Sequence, residues 1–177
     1  MTRKADSQDA ERSVRRKRLS QRLTLVESNY DDLEESLRRH YPDEDSFVAD
    51  WTSTEFEAQE RIAALERFYE RIVNALNQIV DDAEGALGED GEPPAAPSAK
   101  PGRPPGRWQR LAGYGALPAK HVDPMRRLIG KRNIFQKEYD TLGAEAGADI
   151  FGEAKEFARL LPRVVPSIRE WADAAIK

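Results

Sequence analysis

Apolar side chains recur along the first forty residues at Leu19, Leu23, Val26, Tyr30, Leu33, Leu37 and Tyr41. Steps of three and four place all seven on one narrow side of a helix, the pattern of a seam packed inside a bundle. Pro42 ends this helix, and the residue before a proline is pushed toward extended backbone. A second stripe runs through Ile62, Leu65, Tyr69, Ile72, Leu76, Ile79 and Ala83, widened by Val73 and Val80. It predicts a long helix to about Leu87. Between the two, the acidic stretch 43–52 carries Phe47, Val48 and Trp51, enough for one or two helical turns. Thr54 with Glu57 three residues on reads as a capping box.

The pattern changes at Gly88. Six of the 11 prolines lie between Gly88 and Gly106. No core can be built from such a segment, so residues 88–106 read as a flexible insert between bundle helices, whose closure cost grows only slowly with length. Order resumes at Arg107, with Trp108, Leu111 and Tyr114 at helical spacing and Gly113 and Gly115 as stop signals. Pro118 to Val122 reads as a loop. Asp123 before Pro124 marks a further helix start, with aspartate as N-cap, and that helix is expected to reach about Tyr139 to Thr141. After a Gly/Ala-rich turn, a helix carrying Ile150, Ala154, Phe157, Ala158 and Leu161 is expected to kink or break at Pro162 and Pro166. Ile168, Trp171, Ala172 and Ala175 would form a last short helix. No strand pattern of convincing length is present. The expected fold is all-α: an up-and-down bundle of four to five helices over residues 15–177, behind a polar, disordered tail at 1–14.

Composition sharpens this picture. Only 39% of the 177 residues are hydrophobic while 34% are charged, the balance of helices with a narrow buried stripe. So little apolar material makes a homodimer a natural expectation. The absence of cysteine excludes disulfides and thiolate metal sites and fits a reducing, cytoplasmic compartment. No apolar run approaches a membrane span, and the basic N-terminus has no apolar segment behind it, so neither an anchor nor a signal peptide is expected. The net charge of −4 conceals a segregation of sign. Glu27 to Glu60 holds twelve acids against Arg38 and Arg39, whereas Lys120 to Lys137 holds six bases against Asp123. Such separation suits a basic binding surface, or acid-to-base docking within or between subunits. A second basic cluster comprises Arg12, Arg15, Arg16, Lys17 and Arg18.

The helix beginning at Asp123 carries the most chemistry. Met125, Leu128 and Ile129 form its apolar line, and Arg132 falls where the next core residue is due, with Tyr139 seven residues later. Arginine is almost never buried unpaired, so this position calls for an acidic partner, a cleft or a subunit interface. A neighbouring face holds Arg126, Gly130, Asn133 and Lys137. A mid-helix glycine costs about 1 kcal/mol against alanine, which close approach of another helix or a ligand would offset. Two cations and an amide beside it suit a phosphate backbone, with Lys131 and Arg127 as further phosphate contacts.

The run Leu128 to Asp140, LIGKRNIFQKEYD, resembles the end of the motif helix in HEPN-domain proteins, especially the HepT-like branch. Arg132, Asn133 and Tyr139 match the family pattern R-N-x-x-x-H-x-Y, and Lys137 stands where the histidine is expected. The order of elements agrees: two long helices, a loop, the motif helix and a proline-interrupted terminal helix. The resemblance implies a helical-bundle ribonuclease of a toxin–antitoxin or phage-defence module, dimeric through the motif helix. A nucleotidyltransferase-type antitoxin or another defence protein would be its partner, and no cofactor is implied. The implied catalytic residues are Arg132, Asn133 and Lys137, with Tyr139 as a possible acceptor of nucleotide transfer.

RNA cleavage of this kind has the ribose 2′-hydroxyl attack the adjacent phosphate while a base takes its proton and cations stabilise the developing charge. Arg132 suits bidentate phosphate contact. Lysine is a poor base at neutral pH, its reference pKa being about 10.4 against about 6.5 for histidine. His121, in the loop, and His40, at the end of the first long helix, are the two imidazoles that a neighbouring subunit could supply, although a lone histidine at a helix end is usually a surface residue. Two other readings compete: a non-catalytic helical adaptor, and a plain nucleic-acid-binding oligomer using the Arg12–Arg18 cluster. No metal-ligand spacing of histidine or cysteine is present, and the acidic pairs Asp31–Asp32, Glu34–Glu35 and Asp81–Asp82 read as solvated helix faces.

Overall fold

A computed structural model describes residues 2–87, 106–130 and 143–175. Among these residues the chain is all-helical: α1 (Thr2–His40), α2 (Glu44–Trp51), α3 (Phe56–Leu87), α4 (Arg107–Gly113), a 3₁₀ turn (Ala119–His121), α5 (Val122–Gly130) and α6 (Ala144–Ala175). No helix among the described residues is long and apolar enough to cross a membrane.

The two heptad stripes do what their spacing implies. Leu19, Leu23, Val26, Leu33 and Leu37 of α1, and Tyr41 just beyond it, are each at most 3% exposed, and Tyr30 is half-buried. Ile62, Leu65, Tyr69, Ile72, Leu76, Ile79 and Ala83 of α3 are buried, as are Val73 and Val80. The two helices lie antiparallel. Arg22 meets Asp82 at 2.9 Å near one end, while Tyr41 and Arg61 share Asp50 near the other. Helix α6 runs antiparallel to α1 along its other flank, with Arg169 on Glu27 at 2.7 Å and Arg16 facing Asp173 at 3.9 Å. It buries Ile150, Phe157, Leu161, Val164, Val165 and Ile168.

Four sequence expectations need correction. Helix α6 does not stop at its prolines. Pro162 and Pro166 are four residues apart and both exposed, so they share the solvent side of a helix whose apolar stripe continues uninterrupted beneath them. The hydrogen bonds they remove fall where water can serve the freed carbonyls. One long helix therefore replaces two short ones. Helix α1 begins at Thr2 and so takes in the stretch expected as a disordered tail, there being no glycine or proline between Thr2 and Tyr41 to interrupt it. With α2 and α4 as separate short elements, the described residues hold six α-helices rather than four or five. Finally, Asp82 is not on a solvated face. It is 5% exposed and paired with Arg22, whereas its neighbour Asp81 is open and lies 3.6 Å from Arg107.

Short elements plug the ends of the bundle. Asp43 caps α2 by accepting from the Ser46 N–H at 2.9 Å. Its Phe47 and Trp51 join Tyr41 and Phe151 in an aromatic cluster with ring centroids 5.0–6.1 Å apart. At the turn into α3, the Ser53 hydroxyl accepts from the Glu55 N–H, ahead of the Thr54–Glu57 box that the sequence suggested. Helix α4 buries Trp108 and Leu111 and ends at Gly113, and the chain turns away at Gly115, whose φ of +80° only glycine adopts without strain.

Candidate functional site

Helix α5 leads into the motif-bearing stretch, and its placement is well determined by packing. Val122, Met125 and Leu128 are buried, while Arg126, Arg127 and Gly130 face outward. From α3, the Tyr69 hydroxyl donates to the Leu128 carbonyl, and the Tyr69 ring packs on Phe157 of α6 at 4.7 Å between centroids. One buried phenol thus ties α5 to the two long helices. Burial, with Glu153 and Glu156 nearby, pushes that phenol far above the ordinary tyrosine range, so it remains a donor.

The two described cations of the predicted phosphate-binding set differ in availability. Arg127 is committed within the chain: its guanidinium bonds Glu156 and lies 3.7 Å from Glu153, two acids one turn apart on α6. Arg126 makes only an exposed contact with Asp123 at 3.5 Å, and an exposed pair of this kind is worth little and exchanges readily with another anion. Lys131, Arg132, Asn133, Lys137 and Tyr139 lie outside the described residues. Gly130 was expected to mark a close approach, but a Cβ added there would meet nothing within 4 Å among the described residues. The close approach is elsewhere, at Gly147, where a Cβ would lie 2.8 Å from the Trp51 indole.

His121 sits in the 3₁₀ turn just before α5. It is 9% exposed, not the surface residue expected of a lone histidine at a helix end. Burial, and then Lys120 and Arg163, hold its imidazole below the usual histidine range, so it is neutral at pH 7. The sequence showed the residue but neither its burial nor the approach of Arg163 from α6. His40, the other histidine, ends α1 on the surface.

Part of the basic cluster of α1 is paired within the chain. Arg15 pairs with Glu11 at 3.0 Å and lies against Gly85 of α3. Arg16 faces Asp173 across a cleft of about 410 Å³ between α1 and α6, lined also by Ser13, Lys17, Ser20 and Arg169. Its cations and hydroxyls could receive an anion, but Asp173 and the Glu27–Arg169 pair already balance much of that charge. A second groove of about 530 Å³ opens further along the same two helices, between Tyr30, Leu37 and Pro42 on one side and Ala158 and Pro162 on the other. Tyr30 donates to Glu34 at 2.9 Å there, and burial with that carboxylate raises its phenol to about 12. Among the described residues no group of three or more histidines and acids could hold a metal ion.

Comparison with known proteins leaves the chain by itself: no family model, no curated protein and no solved structure matches it.

Proposed function

We propose that this chain is a HEPN-like helical protein of the HepT type, an RNA-engaging member of a toxin–antitoxin or phage-defence module, and a weak or degenerate ribonuclease. The observation that carries the reading is the Arg132–Asn133–Tyr139 run, which follows directly on α5, a helix pinned by Tyr69 on its inner side and bearing Arg126 on its outer side. The sequence of helices before and after that run supports it. In this reading Arg132 holds a backbone phosphate through its planar fork, Asn133 orients the ribose, and Arg126 and Lys131 contact neighbouring phosphates. Lys137 supplies positive charge in place of the family's base. Tyr139 would be the nucleotide acceptor, with a nucleotidyltransferase-type antitoxin as its modifier and a second copy of the chain completing the site. The non-catalytic adaptor reading draws on Arg127, which already pairs with Glu156 and lies 3.7 Å from Glu153, leaving less positive charge for a phosphate surface.

RNA binding and cleavage by the purified protein test these readings together. Affinity should fall with salt and fall again on Arg132→Ala. Lys137→His should raise cleavage if only the base is missing. Binding without any cleavage in either form would leave an RNA-binding protein, and no salt-dependent RNA affinity at all would remove the RNA reading and leave the adaptor.

A further inference from the structure

Most charges on α1 are used within the chain. Glu11 holds Arg15, Arg22 holds Asp82, Glu27 holds Arg169, Glu34 accepts from Tyr30, Glu35 holds Arg38 and Arg16 faces Asp173. Five charges make neither an ion pair nor a hydrogen bond among the described side chains: Lys17 and Arg18 in the first half of the helix, Asp31, Asp32 and Arg39 in the second. All five are exposed. Lys17 and Asp32 lie on the side of α1 turned away from the Leu19–Tyr41 seam, with Arg18 and Asp31 on its flanks. With them on this outer side are Val14, Gln21, Thr24, Leu25, Ser28 and Glu35. Val14 and Leu25 are unusual there, being large hydrophobic residues 50% and 49% exposed.

This outer side has a symmetry of its own. Over residues 14–35 its bases lie before Gln21, its acids after Ser28, and its middle is uncharged; Arg39 lies beyond that window, and the same axis as drawn below would set it level with Ala10 of a second copy. A two-fold axis passing between Thr24 and Leu25 would bring Lys17 level with Asp32 of a second copy and Arg18 level with Asp31. It would also set Gln21 beside Ser28, and bring Thr24 and Leu25 of the two copies together at the axis. The complementarity holds only for antiparallel helices, since a parallel pair would set base on base and acid on acid. An isologous contact must be self-complementary in this way. Residues 14–35 span about 32 Å of helix, and α3 and α6 pack on the flanks of α1, with Lys17 at the rim of the cleft toward α6.

We propose that the outer side of α1 is a self-association surface, and that its occupant is a second copy of this chain lying antiparallel across Thr24 and Leu25. The contact is led by charge and is therefore salt-sensitive. It is independent of the RNA reading, and a dimer held through the motif stretch would not respond to Lys17 or Asp32.

Sedimentation velocity on the full chain tests it, with circular dichroism to show that each variant folds. The wild type should dimerise with concentration and weaken as salt rises from about 0.05 to about 0.5 M. Lys17→Glu and Asp32→Lys should each weaken the dimer by about tenfold or more, because every change acts twice across the axis. The double variant should recover it, and so should an equimolar mixture of the two single variants, whose 17–32 pairs are again of opposite sign. The absence of native cysteine adds an independent readout. Thr24→Cys should form a disulfide-linked dimer on mild oxidation, and Phe56→Cys, on an exposed side chain elsewhere, should not. A monomer under all conditions, a dimer indifferent to both reversals, or folded single variants whose mixture stays monomeric would each overturn the proposal.

Discussion

Two glycines on α6, five residues apart, should respond in opposite directions to the same substitution. At Gly147 the Cβ of an alanine would stand 2.8 Å from Cδ1 and 2.9 Å from Cγ of Trp51, closer than real Cβ contacts come. The indole cannot swing away freely. Trp51 is 4% exposed, stacks on Phe47, and Phe47 in turn contacts Tyr41 and Phe151. Accommodating the methyl means moving α6 off α2 or displacing that cluster, and overpacking of a well-packed core costs about 1–3 kcal/mol. Against this stands the gain in helix propensity, at most about 1 kcal/mol and less in the first turn, where Gly147 lies. Gly147→Ala should therefore destabilise by about 1 kcal/mol net. At Gly152 the side is open, with nothing within 4 Å of an added Cβ, so only the propensity gain remains. Gly152→Ala should stabilise by up to about 1 kcal/mol. Urea unfolding of the two variants beside the wild type measures both. The midpoints should move apart around the wild-type value with unchanged slopes. If Gly147→Ala stabilised as much as Gly152→Ala, α6 would not approach α2 as closely as the structure places it, and the account of why glycine stands at 147 would be refuted.

Other contacts give further expectations. Asp50 accepts from Arg61 at 2.6 and 2.8 Å and from Tyr41 at 3.0 Å, so Asp50→Asn should destabilise by about 1–3 kcal/mol at pH 7. Arg61 and then Tyr41 hold the Asp50 carboxyl below the ordinary carboxylate range. Its stabilisation is thus full above the unfolded-state pKa of about 3.9 and is lost as pH falls through the lower folded value, so the gap between wild type and Asp50→Asn in urea unfolding should narrow below about pH 4. Tyr69→Phe removes the donor to the Leu128 carbonyl, which should cost about 1 kcal/mol and show as faster amide exchange in α5 than in α1. Pro162→Ala returns an N–H to a continuous helix and should stabilise by about 1–2 kcal/mol after the looser unfolded chain is allowed for, with unchanged or lower stability speaking against continuity of α6 at that residue.

Periodicity made the long helices legible because it records which side of a segment is buried. Leu19 to Tyr41 and Ile62 to Ala83 needed no knowledge of their partners to be recognised. What it does not record is the partner itself. Asp50 lies in a stretch whose acids looked alike, and only the meeting of α2 with α3 distinguishes it from Asp45. Asp82 looked like Asp81 until Arg22 of α1 was opposite it. The same limit explains the glycines: Gly130 and Gly147 both stand in helices, and only the neighbour separates them, nothing within 4 Å among the described residues in one case and an indole in the other. Pro162 and Pro166 misled for a related reason. Their local cost is real, but the stripe from Phe157 to Ile168 buries enough apolar surface on the opposite side to carry the helix through. Of the candidate site, the chain order around Arg132 was visible in the sequence, whereas the pinning of α5 by Tyr69, the burial of His121 and the commitment of Arg127 to α6 depended on contacts between distant elements.

The two proposed surfaces interact through salt. α5 packs chiefly against α4, the 3₁₀ turn and α6, so pairing through the outer side of α1 would leave Arg126 exposed on both copies. A dimer would then offer one RNA strand two sites, and linked sites bind more tightly than either alone without any new contact. Raising salt would weaken RNA binding twice, by counterion release at each site and by separating the copies. The apparent salt slope of the wild type would then overstate the number of phosphates each copy contacts. The Lys17→Glu and Asp32→Lys variants separate the two effects: each alone leaves α5 untouched but should weaken pairing, while the double variant should restore it. The steeper slope should be lost in the single variants and return in the double one, and identical slopes in all three would mean that pairing and RNA binding are uncoupled.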